Sequence, residues 1–90
     1  MRYVLFYESA GADREQLMEH FPEHQALWSS YAERGELLLI GPFTDRSGAM
    51  GVFTTREAAE AFAAEDPFVT KNLVGSWQVR EWMEALGDTS

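Results

Sequence analysis

The chain has no cysteine among its 90 residues. Disulfides, thiolate zinc sites and cysteine nucleophiles are therefore excluded. A domain this short buries only about 60–65% of the surface that its unfolded chain exposes, so its own core is small. Yet 46% of the residues are hydrophobic and 13% are aromatic. Burial of this apolar surface against a second copy of the chain is the expected remedy.

Basic residues are also scarce, with seven Lys and Arg against 15 Asp and Glu and a net charge of −8. Binding to nucleic acids or to anionic membranes needs clustered basic residues, so we expect neither partner. The excess of acidic residues indicates a solvated surface. The few cations would attract an anionic substrate only if the fold gathered them at one site. The candidates for such a cluster are Arg2, Arg46, Lys71 and Arg80.

Long apolar runs and nucleotide motifs are missing as well. The N-terminal run Tyr3–Tyr7 has five apolar residues and is closed by Glu8. Secretory signals need about 7–15 apolar residues and membrane spans about 20. We therefore expect a cytoplasmic protein. The absence of phosphate-loop, G-x-G-x-x-G and G-x-S-x-G motifs argues against a nucleotide-binding domain and a serine nucleophile elbow.

Four segments have the composition of β-strands. The first three, Tyr3–Tyr7, Glu36–Pro42 and Ala49–Phe53, carry apolar residues on both alternating faces. This pattern is typical of strands that are buried on both sides. The fourth strand is predicted over Ser76–Trp82.

The first helical region is predicted in two pieces. Asp13 and Gln16 form a capping box that starts a short helix over 13–20. Proline is costly inside a helix but suits its first position, so Pro22 is expected to begin a second, longer helix. Gly35 is the expected C-terminal cap of that helix.

The second helical region follows the third strand. Thr54 and Glu57 have the spacing of a capping box, which predicts a helix over Arg56–Glu65. Its apolar stripe is expected to contain Ala58, Ala61 and Phe62. Asp66-Pro67 ends this helix, because the residue before a proline avoids the α conformation, and Asp66 can cap a short turn that follows.

The order strand, helix, strand, strand, helix, strand predicts an α+β fold. We expect a ferredoxin-like βαββαβ domain with a four-stranded antiparallel sheet and the helices on one face. The other sheet face would expose a large apolar patch unless two copies paired sheet to sheet, so a homodimer is predicted. The domain is expected to span 1–83, with 84–90 as a C-terminal tail.

Two histidines are the main candidates for chemistry. His20 and His24 are four residues apart, a spacing that suits a metal on an unbroken helix, but Pro22 interrupts that turn. Because no third ligand is evident, we predict no metal site, and we expect His20 to be exposed at a helix end.

His24 has apolar neighbours on its predicted helix face, namely Leu27, Trp28 and Tyr31. A histidine on such a face is usually packed and hydrogen-bonded. If a carboxylate holds its second nitrogen, however, it is a ready general acid or base near neutral pH. Asp66 is the candidate carboxylate. Its simpler role is the cap before Pro67, and one carboxylate can do both.

Several short motifs, in this order and spacing, resemble the YCII-related (YciI-like) family of the dimeric α/β-barrel superfamily from Tyr3 to Trp82. These motifs are Tyr3-Val4-Leu5-Phe6-Tyr7, Pro22-Glu23-His24, Gly35-Glu36-Leu37 leading to Gly41-Pro42, Gly48–Phe53, Asp66-Pro67-Phe68 and Val79-Arg80-Glu81-Trp82. The resemblance implies ferredoxin-like protomers that pair into a dimeric α/β barrel. It also implies a His–Asp pair, which falls on His24 and Asp66.

The resemblance further implies small aromatic or lactone substrates, because the superfamily includes cofactor-free oxygenases, lactone isomerases and dehydrochlorinases. Our first hypothesis is an enzyme that catalyses isomerisation of a small cyclic compound, elimination from it or a similar reaction. This enzyme would use neither a metal nor an organic cofactor. His24 would be its general acid and base, with Asp66 orienting it. Tyr7, Trp28 and Phe68 would form the substrate-binding walls.

The alternative is a non-catalytic ligand-binding or accessory module in the same dimeric fold. A catalytic pair should open onto a pocket that solvent can reach, whereas a structural pair should be sealed by side chains. The sequence does not identify the substrate, the reaction or any assembly beyond a dimer.

Overall fold

The main strands and helices follow one another along the chain in the predicted order. The computed structural model describes residues 1–87. Its elements are β1 (Arg2–Ser9), α1 (Arg14–Glu33), β2 (Leu37–Pro42), β3 (Gly48–Phe53), α2 (Arg56–Glu65), α3 (Pro67–Thr70) and β4 (Val74–Trp82). The predicted tail lies partly outside the described residues, which end at Gly87.

The four strands form one antiparallel sheet in the order β2-β3-β1-β4. The two strands that are consecutive along the chain, β2 and β3, are neighbours, and β1 lies between β3 and β4. In the middle of the sheet Leu5 pairs with Gly51 on one side and Val79 on the other. This is the ferredoxin-like α+β arrangement, as predicted.

The core lies between the helices and one face of the sheet. Phe53 of β3 and Phe62 of α2 are fully buried, and Leu5 and Tyr31 are nearly so. The rings of Tyr31 and Phe62 meet edge to face, with centroids 5.3 Å apart and planes at 89°. Such pairs stabilise a core beyond the area that they bury. They fix α1 and α2 against each other over the sheet.

Helix α1 is continuous, which corrects the prediction of two pieces. The capping box at its start is confirmed: the Gln16 N–H donates to Asp13 Oδ1 at 2.9 Å, and Gln16 Oε1 accepts from the Asp13 N–H at 3.2 Å. Pro22 lies inside the helix. It removes the one N–H that would reach back four residues, and packing of the helix outweighs that loss, with His24 and Tyr31 buried after the proline and Leu17 half-buried before it.

Gly35 stops α1, as predicted. Its φ of 77° lies in the left-handed region that favours glycine. The N–H of Gly35 donates to the Ala32 carbonyl and the N–H of Glu36 to the Tyr31 carbonyl, each at 3.0 Å. These two bonds form a Schellman motif, which turns the chain from the helix into β2.

Helix α2 has the predicted bounds but a different cap. Its N-cap is Thr55, whose side chain accepts from the Ala58 N–H at 3.1 Å. Thr54 was predicted, but its N–H donates to the Glu36 carbonyl, so its backbone still extends from the sheet. The stripe is corrected as well, because Ala61 is exposed. The buried residues are Ala58, Ala59, Phe62 and Ala63.

The sheet face that points away from the helices carries a mixture of buried and exposed apolar side chains, with Val4 and Val52 buried and Leu39 exposed. Strand register places Val4, Val52 and Leu39 side by side on this face. The Leu39 residue is 70% exposed, and Trp82 at the end of β4 is 51% exposed. The sheet therefore has the second apolar face that the sequence predicts.

Candidate active site

The site begins with a carboxylate at the junction of α2 and α3. Asp66 has an extended backbone, with φ −66° and ψ 124°, because Pro67 follows it. Its side chain turns back and accepts the Phe68 N–H at 3.0 Å, so it caps α3 as predicted. Asp66 is completely buried. A buried carboxylate is stable only where donors surround it.

His24 supplies the second donor. Its Nδ1 lies 2.8 Å from Asp66 Oδ1, and its side chain is 11% exposed. An ionised carboxylate only accepts hydrogen bonds, so the neutral imidazole carries its proton on Nδ1 and keeps the lone pair on Nε2. Folding thus brings together the two residues that the resemblance singled out.

Tyr7 supplies the third donor. Its hydroxyl donates to Asp66 Oδ2 at 2.6 Å, in the range of charge-assisted hydrogen bonds. Burial, the charge of Asp66 and this hydrogen bond raise the pKa of Tyr7 far above its usual range. The phenol therefore keeps its proton. Tyr7 was expected only as an apolar wall, and the structure adds this polar contact.

Stacking fixes the plane of the His24 ring. The Phe68 ring lies parallel to it, with centroids 4.0 Å apart and an angle of 8° between the planes. The Phe62 ring approaches at 68°, with centroids 6.3 Å apart. Together with the bond to Asp66, these contacts hold the imidazole in one orientation.

A cavity of about 420 Å³ lies between α1 and the sheet. Its walls consist of Leu17, Met18, Phe21, His24 and Trp28 from α1, Leu5, Tyr7, Ile40, Gly41, Pro42, Ala49, Met50 and Gly51 from the sheet, and Phe62 and Phe68. The volume is typical of small-molecule sites. Within residues 1–87, no hydrogen bond occupies Nε2 of His24, so this nitrogen is left for a ligand.

The structure adds walls that the sequence analysis missed. Leu17, Met18 and Phe21 come from the first half of α1, which was assigned to a separate helix. Leu17, Phe21, His24, Trp28 and Tyr31 follow alternating steps of four and three. This periodicity, typical of one helix face, predicts Leu17 and Phe21 as wall residues once the helix is taken as continuous through Pro22, but it does not predict Met18.

His20 is not at an exposed helix end, which corrects that prediction. It is half-buried in the middle of α1, because the helix continues through Pro22. It does not line the cavity. In the part of the chain that the structure describes, no three His, Cys, Asp or Glu side chains are grouped as metal ligands.

Comparisons with known proteins agree with this geometry at the level of the fold. A sequence model of the YCII-related domain matches residues 1–83. The solved structure of 5-chloro-2-hydroxyhydroquinone dehydrochlorinase from Burkholderia phenoliruptrix, in complex with 2,5-dihydroxybenzoquinone, superposes with a TM-score of 0.78. The two share 14% identity over 94% of this chain and 96% of that one.

A second similarity covers only part of a longer protein. The chain is 30% identical to mitochondrial phosphatidate cytidylyltransferase from Bos taurus over 80 residues, which are 89% of this chain. They are 22% of that protein's length. No helix among residues 1–87 has both the length and the apolar composition of a membrane span.

Proposed function

The chain belongs to the YCII-related domain family, and from that premise we propose that it is a small-molecule enzyme in which His24 is the general acid and base. One observation carries the proposal: the imidazole joins a buried carboxylate on one side to a cavity on the other. A purely structural His–Asp pair would have no such opening.

The proposed chemistry follows from the different surroundings of the two imidazole nitrogens, Nδ1 and Nε2. Nε2 takes a proton from a substrate held in the cavity. The imidazolium that forms is stabilised by Asp66 at 2.8 Å. Asp66 is kept in place by Tyr7 and by the Phe68 amide, so the site needs no rearrangement when the charge develops.

In an isomerisation, the proton on Nε2 then returns to a different atom of the ring system. In an elimination, the electron pair of the broken bond forms a double bond as the leaving group departs from the neighbouring carbon with its own bonding pair, and the proton on Nε2 passes to the leaving group or to solvent. The similar fold of a dehydrochlorinase with a cyclic ligand supports a small cyclic substrate and a reaction of this kind. The reaction uses no organic cofactor in this proposal.

Three side chains complete the substrate-binding assignment. Trp28 and Phe68 both line the cavity, and Phe68 also stacks on the catalytic ring. Tyr7 lines the cavity from β1 while its hydroxyl holds Asp66. We assign Trp28 and Phe68 to substrate contact, and Tyr7 to both contact and positioning.

The proposal is tested by replacing the base without changing the space that it fills. A panel of small lactones and hydroxylated cyclic compounds is incubated with the protein, and products are followed by mass spectrometry. His24→Asn should lower the rate of any conversion by about a hundredfold or more, the usual contribution of a general base. His20→Asn, on the same helix but outside the cavity, should keep the wild-type rate. Wild-type turnover by His24→Asn would contradict the mechanism and leave a ligand-binding module as the better description.

A further inference from the structure

Among the residues that the structure describes, His24 is the only cavity wall residue that can carry a charge near neutral pH. All seven Lys and Arg residues of the chain lie among the described residues, and none of them lines the cavity. No Asp or Glu among residues 1–87 lines it either, because Asp66 lies behind His24 and Tyr7. The four candidates for a cationic cluster therefore lie outside the cavity wall, namely Arg2, Arg46, Lys71 and Arg80.

The polar side-chain groups of the cavity are equally few. Of the described residues, His24 and Tyr7 are the titratable ones in its wall, and the Tyr7 hydroxyl already donates its hydrogen bond to Asp66. Four aromatic side chains surround the remaining space. They are Phe21, Trp28, Phe62 and Phe68.

The cavity should bind an anionic ligand weakly. A carboxylate or phosphate that entered would lose its hydration without gaining a cation or a row of donors in return. The carboxylate of Asp66 and the net charge of −8 add repulsion. An uncharged ring loses little on entry and gains contact with the aromatic walls.

We infer that the cavity selects an uncharged ring compound with one acidic O–H or C–H, and discriminates against carboxylates and phosphates. This inference rests on the proposed function, because the acidic proton is the one that Nε2 accepts. The O–H or C–H bond breaks, the N–H bond forms, and the electron pair stays on the ligand. Charge then appears in the cavity only as an ion pair, in which the new imidazolium lies beside the new anion. The site therefore stabilises an anion that forms during the reaction, although it excludes a ligand that is anionic before it binds.

Three probes of one size test the selection by binding alone. Para-cresol, para-toluate and para-xylene carry a hydroxyl, a carboxylate and a methyl group on the same frame. At pH 7 the cresol is neutral and the toluate is ionised. Titrations followed by the NMR signals of the Trp28 indole and the His24 ring should give at least about tenfold tighter binding of cresol than of toluate, with xylene in between.

A positive charge placed at the cavity wall should reduce the discrimination against carboxylates. Met18 lines the cavity and is 54% exposed, whereas Met83 is 75% exposed and lies outside it. Met18→Lys should tighten toluate binding several-fold and leave cresol binding nearly unchanged. Met83→Lys adds the same charge elsewhere and should change neither.

The outcomes separate the two proposals. Toluate binding as tight as cresol in the wild-type protein would overturn the selection, whatever the turnover experiments give. Cresol binding that is unchanged in His24→Ala would overturn the assignment of His24 as the acceptor of the ligand's proton. Selective cresol binding by a protein whose His24→Asn variant still turns over its substrate would support the selection and contradict only the catalytic role.

Discussion

At the scale of single residues, Asp66 determines whether the site exists. It has no exposed surface, and it accepts hydrogen bonds from Tyr7 of β1, His24 of α1 and the Phe68 amide of α3. A buried carboxylate that lost these donors would be strongly destabilised. Because each donor comes from a different element, the site forms only when the sheet and the helices have docked.

Tyr7 should make stability depend on pH in the alkaline range. Its pKa is raised in the folded protein, so the folded state keeps a proton that the unfolded chain loses above about pH 10. This contribution to the free energy of unfolding is complete below pH 10 and is lost as the pH rises, by at most about 1.4 kcal/mol per pH unit. In Tyr7→Phe that loss disappears, so urea unfolding at several pH values between about 9 and 11 should show a shallower decline.

Tyr3→Phe is the matched control for this comparison. Tyr3 lies on the same strand and the same face, but its hydroxyl contacts exposed Met1 and not the buried carboxylate. It should keep the wild-type decline. Equal declines in the wild-type protein and Tyr7→Phe would mean that the Tyr7 hydroxyl is not held as the structure places it.

The sequence predicts this site only in part. The helical spacing of His24 places it on an apolar face, and the resemblance pairs it with Asp66. The hydroxyl of Tyr7 could not be assigned, because alternation along β1 tells which face a side chain occupies but not which polar group it meets there. That contact depends on how α2 ends over the sheet, which is a tertiary property.

At the scale of elements, the wrong predictions concern boundaries and not the elements themselves. Pro22 was read as a break because proline is costly in isolated helices. In the folded chain, α1 is held by the capping box at Asp13, by the motif at Gly35 and by its packed face. Local propensity is a weak guide where tertiary packing is strong. The N-cap of α2 is Thr55, one residue after the predicted position, for a similar reason. The N–H of Thr54 donates to the Glu36 carbonyl, so Thr54 still belongs to the extended chain that leaves the sheet.

The turn after α1 should be sensitive to a single methyl group. Gly35 has a φ of 77°, where a β-carbon is strained, although nothing lies within 4 Å of it. Gly35→Ala should lower the free energy of unfolding by about 1 kcal/mol through backbone strain alone. Gly41→Ala, also in open space but without a positive φ, should change it by less than about 0.5 kcal/mol. Urea unfolding compares the two, and equal effects would rule out backbone strain as the cause.

At the scale of the whole molecule, the sheet has two different faces. One packs against α1 and α2 and forms the floor of the cavity. The other carries apolar side chains, including Leu39 at 70% and Trp82 at 51% exposure, with Phe6 and Met50 half-buried between them. Contiguous apolar patches of this kind mark interaction surfaces in most proteins. A second copy presenting the same face is the predicted partner.

Sedimentation should therefore show a homodimer that one charge on this face dissociates. Leu39→Glu places a carboxylate on this second face, at a residue that is 70% exposed, and should shift the protein to monomer at micromolar concentration, because an unpaired charge would be buried at the interface. Met18→Glu changes an apolar residue on α1 that is 54% exposed, and it should leave the dimer intact. A wild-type protein that sediments as a monomer would contradict the sheet-to-sheet assembly.

Hydrogen exchange at the cap of α3 can measure how often the site opens. Pro67 has no N–H, so the Phe68 amide is the first one of this helix, and its acceptor is the same Asp66 oxygen that holds His24. That amide can exchange its hydrogen with solvent only when its hydrogen bond to the carboxylate breaks. Its exchange rate therefore reports how often the bond between the Phe68 amide and Asp66 opens, and this bond is one of those that hold the carboxylate beside His24.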